Sequence, residues 1–239
     1  MNEQLRQLCK QMRLAHVMNT FENIPFENPT QFLIAVLSEE KSAREQGKVK
    51  RLLQKAKFTN VKTFENYSFE SITFPDSVSV QELKKVSFVQ KNENVIMLGA
   101  VGTGKTHLAT AMGVEACKQG LNVRFYRVAE LVSILQAKFQ AGTLTRFQND
   151  LLKVDMLILD ELGFVPFHKD GSDLLFQLLS DCYERLSVVV TSNLEFSQWN
   201  TVFGDNQVTV ALIDRLVHHA HILAFTGESF RLRNALSQH

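Results

Sequence analysis

At 239 residues the chain has room for one large domain, or a core domain with a small appendage. Apolar residues make up 45% and charged residues 21%, a globular balance that excludes wholesale disorder. The net charge of +1 hides an uneven distribution: from Lys41 to Lys62 eight basic residues face Glu45 alone, a local +7 that leaves −6 elsewhere. Cys9, Cys117 and Cys182 are odd in number and in no metal pattern, which suits a reduced, cytoplasmic protein. The N-terminus mixes Glu3, Arg6, Lys10 and Arg13 with its apolar residues, unlike a signal peptide. No run reaches the roughly 18 apolar residues that span a bilayer, so no membrane partner is expected.

In chain order, Leu5, Leu8, Met12 and Ala15 give one apolar stripe and predict a helix over 3–18. Pro25 and Pro29 interrupt. Asn28 then reads as an N-cap, with Pro29 at the first helical position and Gln31 placed to reach back. A helix through Phe32, Leu33, Val36 and Leu37 follows toward Ala56, with a break expected near Gly47. The two stripes, Leu5/Leu8/Met12 and Phe32/Leu33/Val36, are expected to pack on each other as a small bundle. Residues 1–60 therefore read as a helical N-terminal domain, 61–76 as a linker dotted with Phe64, Tyr67, Phe69 and Phe74, and 77–239 as a core.

The core alternates short apolar runs with helical stretches. Expected strands are 94–98, 122–126, 155–159, 187–191 and 221–225; expected helices are 105–118, 129–140, 145–152, 173–185 and 208–218. Met156-Leu157-Ile158-Leu159 has no polar alternation, which suits a parallel sheet buried on both faces.

Gly99-Ala-Val-Gly102-Thr103-Gly104-Lys105-Thr106 matches the G-x-x-x-x-G-K-[ST] loop between a strand and a helix. Its glycines let successive N–H groups face a phosphate, and the helix N-terminus adds its positive dipole end. Lys105 supplies a point charge for β- and γ-phosphates, and Thr106 a hydroxyl for Mg²⁺, so ATP and Mg²⁺ are the expected ligands. About 55 residues on, an apolar strand ends in Asp160-Glu161. Asp160 is expected to hold Mg²⁺ through water, and Glu161 to take the proton from the attacking water. Val188-Val-Val-Thr191-Ser192-Asn193 delivers an amide at a third strand tip. Asn193 is an ordinary strand-ending residue or, beside a phosphate loop, a contact to the γ-phosphate or the attacking water.

With Leu212-Ile213-Asp214-Arg215-Leu216 and Gly227-Glu228-Ser229-Phe230-Arg231-Leu232-Arg233, these elements resemble the AAA+ ATPases and, more narrowly, the IstB-like transposition helper ATPases of the initiator and helicase-loader branch. The basic helix with Ala56-Lys57-Phe58 and the Phe64/Phe69 stretch match as well, and the likeness covers nearly the whole chain. It implies an α/β fold: an AAA+ P-loop core with a five-stranded parallel sheet, a small all-α N-terminal domain, and no full C-terminal lid, since about fourteen residues follow Phe225. It also implies a homo-oligomeric ring or spiral in which Arg215 acts in trans on a neighbour's γ-phosphate, although the pattern alone fits an exposed arginine paired with Asp214. Arg231 and Arg233 stand as a reduced second sensor or as a basic tail.

By the same resemblance, the helical insertion carrying Lys138 and Arg146 faces DNA, and the N-terminal domain docks a transposase. A solvated helix face is the other reading of those two cations. The basic run, with Lys48, Lys50, Arg51, Lys55 and Lys57, is read as a double-stranded DNA contact, because lopsided charge is relieved by an anionic partner. His218, His219 and His221 invite a metal reading but have no acidic or cysteine companion nearby in sequence. The resulting expectation is a Mg²⁺-dependent ATPase that assembles on target DNA and stimulates a transposase. Competing readings are a replicative helicase loader of the DnaC type, a small-molecule P-loop kinase, and a DNA-binding module that holds ATP without hydrolysing it.

Overall fold

The structure is a computed structural model that describes residues 3–164 and 167–230. They divide between Arg51 and Leu52 into two compact units. The boundary falls earlier than the sequence suggests because Leu52 and Ala56 are buried in the second unit's core, where Phe58, Phe64, Tyr67, Phe69 and Phe74 also pack. The expected linker is therefore a packed part of that unit.

The first unit holds α1 (Glu3–Gln11), α2 (Val17–Thr20) and most of α3 (Pro29–Ala56). α1 stops well short of residue 18. Arg13 turns left-handed (φ 57°), and the N–H groups of Arg13 and Leu14 close back on the carbonyls of Lys10 (3.2 Å) and Cys9 (2.7 Å). That paired closure satisfies the last carbonyls without glycine. Cys9, Val17 and Val36 form the core with Leu5, Leu14, Met18 and Phe32, whereas Leu8, Met12 and Leu33 of the expected stripes are exposed. Asn28 caps α3 as expected, its Oδ1 accepting the Gln31 N–H at 2.9 Å. The helix runs unbroken through Gly47. A mid-helix glycine costs only about 1 kcal/mol relative to alanine.

Glu40 is the polar centre of this unit. It is 3% exposed, yet Oε2 accepts the N–H groups of His16 (2.7 Å) and Val17 (2.9 Å), and Oε1 accepts from Arg44 Nε (2.6 Å). Burial pushes its carboxyl up, but the Arg44 bond and the two backbone donors outweigh that and hold it below the usual value.

The second unit contains β1 (Ile72–Thr73), α4 (Val80–Lys84), β2 (Asn94–Gly99), α5 (Lys105–Lys118), β3 (Val123–Arg127), α6 (Val128–Gln140), α7 (Leu144–Leu151), β4 (Met156–Leu162), α8 (Lys169–Cys182), β5 (Ser187–Ser192), α9 (Asn200–Phe203), α10 (Asn206–Val217) and β6 (Ala220–Phe225). The sheet order is β1-β6-β2-β5-β4-β3. Five strands run parallel as expected. β1 is an addition, pairing antiparallel with β6 through Ile72↔Phe225.

Alternation along each strand builds two cores. Ile96, Leu157, Leu159, Val188 and Val190 pack on one face with Leu131, Leu135, Leu175 and Leu212. Val95, Met97, Met156, Ile158 and Val189 pack on the other with Leu83, Leu108 and Met112. Both faces are apolar, which is why β4 shows no polar alternation. Helices cover a parallel sheet whose carboxyl ends share one edge, the edge where such folds bind ligands. Among the described residues no helix is long and apolar enough to cross a membrane.

Replacing Glu40 with alanine would orphan the buried Val17 N–H and the part-buried His16 N–H and release the half-exposed Arg44, a loss on the order of 1–3 kcal/mol. Amide exchange at His16 and Val17 should accelerate accordingly. In the parent chain the stabilisation is complete above the carboxyl's ordinary 4.5 and is lost as pH falls through its lower folded value. Protection of these amides should therefore fade on acidification below that point.

Candidate active site

At the carboxyl edge of the sheet lies a cavity of about 380 Å³. The loop between β2 and α5 forms its floor, the ends of β3, β4 and β5 one wall, and Thr59, Asn60 and Lys62 another. Phe230 also borders it.

β2 ends at Gly99 because no side chain fits there. Its φ is 145°, and an added Cβ would lie 2.3 Å from the Phe225 carbonyl oxygen. The chain turns through Gly102 (φ 83°) and enters α5 from Gly104, an N-cap at φ 100°. Thr103 is buried and ties the turn through Oγ1 to the Ala100 carbonyl (2.9 Å). Lys105, 8% exposed, donates from Nζ to the carbonyls of Gly99 (2.6 Å) and Ala100 (2.7 Å), so the ammonium closes the loop on itself. Burial pushes this amine down to about 8, with Asp160 pulling the other way.

Thr106 opens α5 and points its hydroxyl at Asp160, donating to Oδ1 at 2.8 Å. The same oxygen accepts from Thr191 Oγ1 at 2.6 Å. Asp160 is 1% exposed, so these hydroxyls replace the water it lost. A carboxylate and a hydroxyl meeting in a buried pocket are hard oxygen donors, a set that fits Mg²⁺. Beyond Asp160 the β4–β5 register shifts between Leu159 and Leu162, and Glu161 adopts φ 62°. Its N–H bonds Thr191 Oγ1 (3.0 Å), which holds the unusual backbone in place. The carboxylate is half-exposed and pairs with Arg127 (Nε–Oε2 3.7 Å).

Of the residues singled out in the sequence, Gly102, Gly104, Lys105, Thr106, Asp160, Glu161 and Asn193 all line this cavity. Arg215 does not. It lies on α10, bonded through Nη1 to Ser180 Oγ and stacked 4.9 Å from the centre of the Phe176 ring. It is not paired with Asp214 among the described residues. Arg231 and Arg233 lie outside the described residues. Lys48, Lys50, Arg51, Lys55, Lys57, Lys138 and Arg146 are exposed, and none forms a salt bridge among the described residues.

Sequence reasoning missed Arg127 and Thr191. Arg127 ends β3 in register with Asp160, a pairing visible only once the strands are aligned. Thr191 sits beside the singled-out Asn193, and its place at a strand tip was the available signal. Thr59 and Asn60 carry no motif, while Lys62 ends the basic run and Phe230 lies in the 227–233 stretch, neither of which by itself pointed to this cavity.

Thr191→Val keeps the shape but removes one of Asp160's two donors and Glu161's backbone acceptor. Denaturant unfolding of the second unit should show a loss of about 1–3 kcal/mol.

Residues 5–238 match the family described as IstB-like ATP binding protein. A protein of insertion sequence IS21 from Pseudomonas aeruginosa, described as ATP-binding, is 36% identical over 236 residues, 96% of this chain and 89% of its own. A counterpart from insertion sequence IS5376 of Geobacillus stearothermophilus is 30% identical, covering 98% of this chain and 95% of its own. The fold is shared with AMPPCP-bound DnaA from Aquifex aeolicus (21% identity, TM-score 0.56, 74% of this chain and 55% of that one). It is shared also with the DnaC helicase loader (19% identity, TM-score 0.54, 74% of this chain and 99% of that one). The chain spans about half the length of the DnaA chains it matches. A parallel α/β core with a phosphate loop, preceded by a helical unit, and the sequence likeness over 5–238 lead to one assignment: the chain belongs to the IstB-like ATP binding protein family.

Proposed function

We propose that this chain is a cytoplasmic, Mg²⁺-dependent ATPase whose nucleotide-driven assembly on duplex DNA recruits and stimulates a transposase. The observation that carries the reading is the convergence of Lys105, Thr106, Asp160 and Glu161 in one cavity, with Asp160 bridging the phosphate loop and β5. Insertion-sequence relatives at 36% and 30% identity support the transposition context.

In this reading the N–H groups of Gly102 to Thr106 and the Lys105 ammonium bind the phosphates. Thr106 and Asp160 hold Mg²⁺, which when bound neutralises charge on the phosphate oxygens. Glu161 accepts a proton from the attacking water, and Asn193 orients that water or the γ-phosphate. Arg127, ion-paired to Glu161, steadies the carboxylate beside the wall of the cavity. Arg215 lies outside its own chain's cavity, which supports a role at a neighbouring copy's phosphates. Gly99 and Thr103 shape the loop, and Arg231 and Arg233 are the remaining candidates for phosphate contacts.

The exposed Lys48, Lys50 and Arg51 of the first unit, and Lys55, Lys57, Lys138 and Arg146 of the second, are the proposed DNA-contacting residues of each unit. Each phosphate they neutralise adds about 0.9 to the log–log salt slope. The helical N-terminal unit is the proposed docking element for the transposase.

Turnover per protomer should rise with protein concentration and with duplex DNA, more than with single-stranded DNA. A preference for single strands would favour the helicase-loader reading. Glu161→Gln and Arg215→Ala should each abolish turnover, the latter by about 10³-fold or more. Mixing the two variants should restore part of it, because an interface pairing one copy's Arg215 with the other's Glu161 is intact. No recovery on mixing would exclude action in trans.

Raising pH should weaken nucleotide binding. With Lys105 near 8 in the free chain, the lysine is charged at pH 7 and must regain a proton to bind above that value. Affinity for an ATP analogue should fall between pH 8 and 9.5 by up to tenfold per unit, and the fall should vanish in Lys105→Arg.

A further inference from the structure

At the opposite edge of the sheet from the cavity, Glu184 in the turn before β5 meets His218 and His219 in the turn before β6. Their ligand-type atoms lie within 4.8 Å of one another, with His219 Nε2 and Glu184 Oε1 3.6 Å apart. The acidic member of the group is thus not Asp214, four residues before His218, but Glu184 from the preceding strand connection. His221 is not part of the group, since Ser77 (2.9 Å) and Glu93 (3.1 Å) occupy both ring nitrogens.

The surroundings hold these groups in position. Tyr183 Oη bonds His218 Nδ1 at 2.6 Å, which leaves Nε2 as the nitrogen available to an ion. A hydrogen bond on one ring nitrogen is the usual way a protein orients a ligating imidazole. The Asn94 N–H bonds the His219 carbonyl (2.7 Å), and Asn92 Nδ2 bonds the Glu184 carbonyl (3.0 Å), so both turns are pinned to the same short stretch of chain. Glu184 itself sits at φ 58°, a left-handed conformation that a glutamate adopts at a cost.

We propose that Glu184, His218 and His219 form a surface site for a borderline transition-metal dication, with Zn²⁺ its natural probe. Two imidazole nitrogens and one carboxylate oxygen suit Zn²⁺ or Co²⁺ and do not suit Mg²⁺ or Ca²⁺, which take oxygen shells. Tetrahedral ligand atoms about 2.0–2.2 Å from zinc lie roughly 3.3 Å apart, so the exposed side chains need to draw in by about an ångström. Water completes the shell. The ion ties the end of α8 to the end of α10, the two helices that Arg215 also links through Ser180 and Phe176.

The test uses the full, untagged chain stripped of metal and titrated calorimetrically with Zn²⁺ in millimolar Mg²⁺. One ion per protomer should bind at micromolar affinity, and Co²⁺ should give a visible absorption band. Glu184→Gly is the informative variant, because glycine accepts φ 58° readily and the fold is kept while a ligand is lost. It and His219→Ala should weaken Zn²⁺ binding at least tenfold and abolish the cobalt band, whereas exposed His168→Ala should change neither. Less than tenfold weakening in both ligand variants, or no parent binding below about 100 µM, would overturn the site.

Discussion

One carboxylate oxygen holds the site together. Asp160 Oδ1 accepts hydroxyls from both Thr106 and Thr191, and so joins the first turn of α5 to the tips of β4 and β5. A carboxylate 1% exposed is tolerable only when its lone pairs are filled, so the three elements must end level with one another. Thr191 serves both Asp160 and the Glu161 N–H at the point where β4 shifts register and Glu161 turns left-handed.

The phosphate loop is gripped from its other side by the strand that carries Phe225. Gly99 approaches the Phe225 carbonyl too closely for any side chain, and a few residues later the Phe230 N–H bonds the Gly102 carbonyl at 3.0 Å. Tyr67 adds a third hold through its hydroxyl on the Gly104 carbonyl (3.3 Å). Between these contacts Lys105 satisfies its charge on the loop's own carbonyls. An arriving phosphate must replace those two bonds, which it can do because a charged acceptor outcompetes a neutral one.

Legibility followed the length scale of the determining interaction. The five parallel strands and α5 were readable because continuous apolar runs and the G-x-x-x-x-G-K-T loop are local patterns. The early end of α1 was not, since Arg13 takes a left-handed cap without glycine to announce it. β1 is two residues long and exists only because β6 offers an edge. Nothing in the sequence marks Glu40, whose role depends on the N–H groups of His16 and Val17 folding over it. Arg127 met Glu161 by strand register, and Glu184 met two histidines across a connection, both long-range pairings that no spacing rule contains.

The proposed action of Arg215 in trans requires it to leave the surface where it rests. Its anchors are one hydroxyl bond to Ser180 and one stacking contact over Phe176, neither involving a carboxylate. The Ser180 bond has an ionised donor and contributes about 1.5–3 kcal/mol, and a partly exposed cation–π contact about 0.5–1 kcal/mol. Release therefore costs on the order of 2–4 kcal/mol, which a charge-assisted bidentate contact to phosphate has to return. Had Arg215 been stowed against Asp214, as its sequence neighbour suggested, the exchange would have been one ion pair for another. A guanidinium held by neutral partners is kept ordered yet remains free to follow a phosphate.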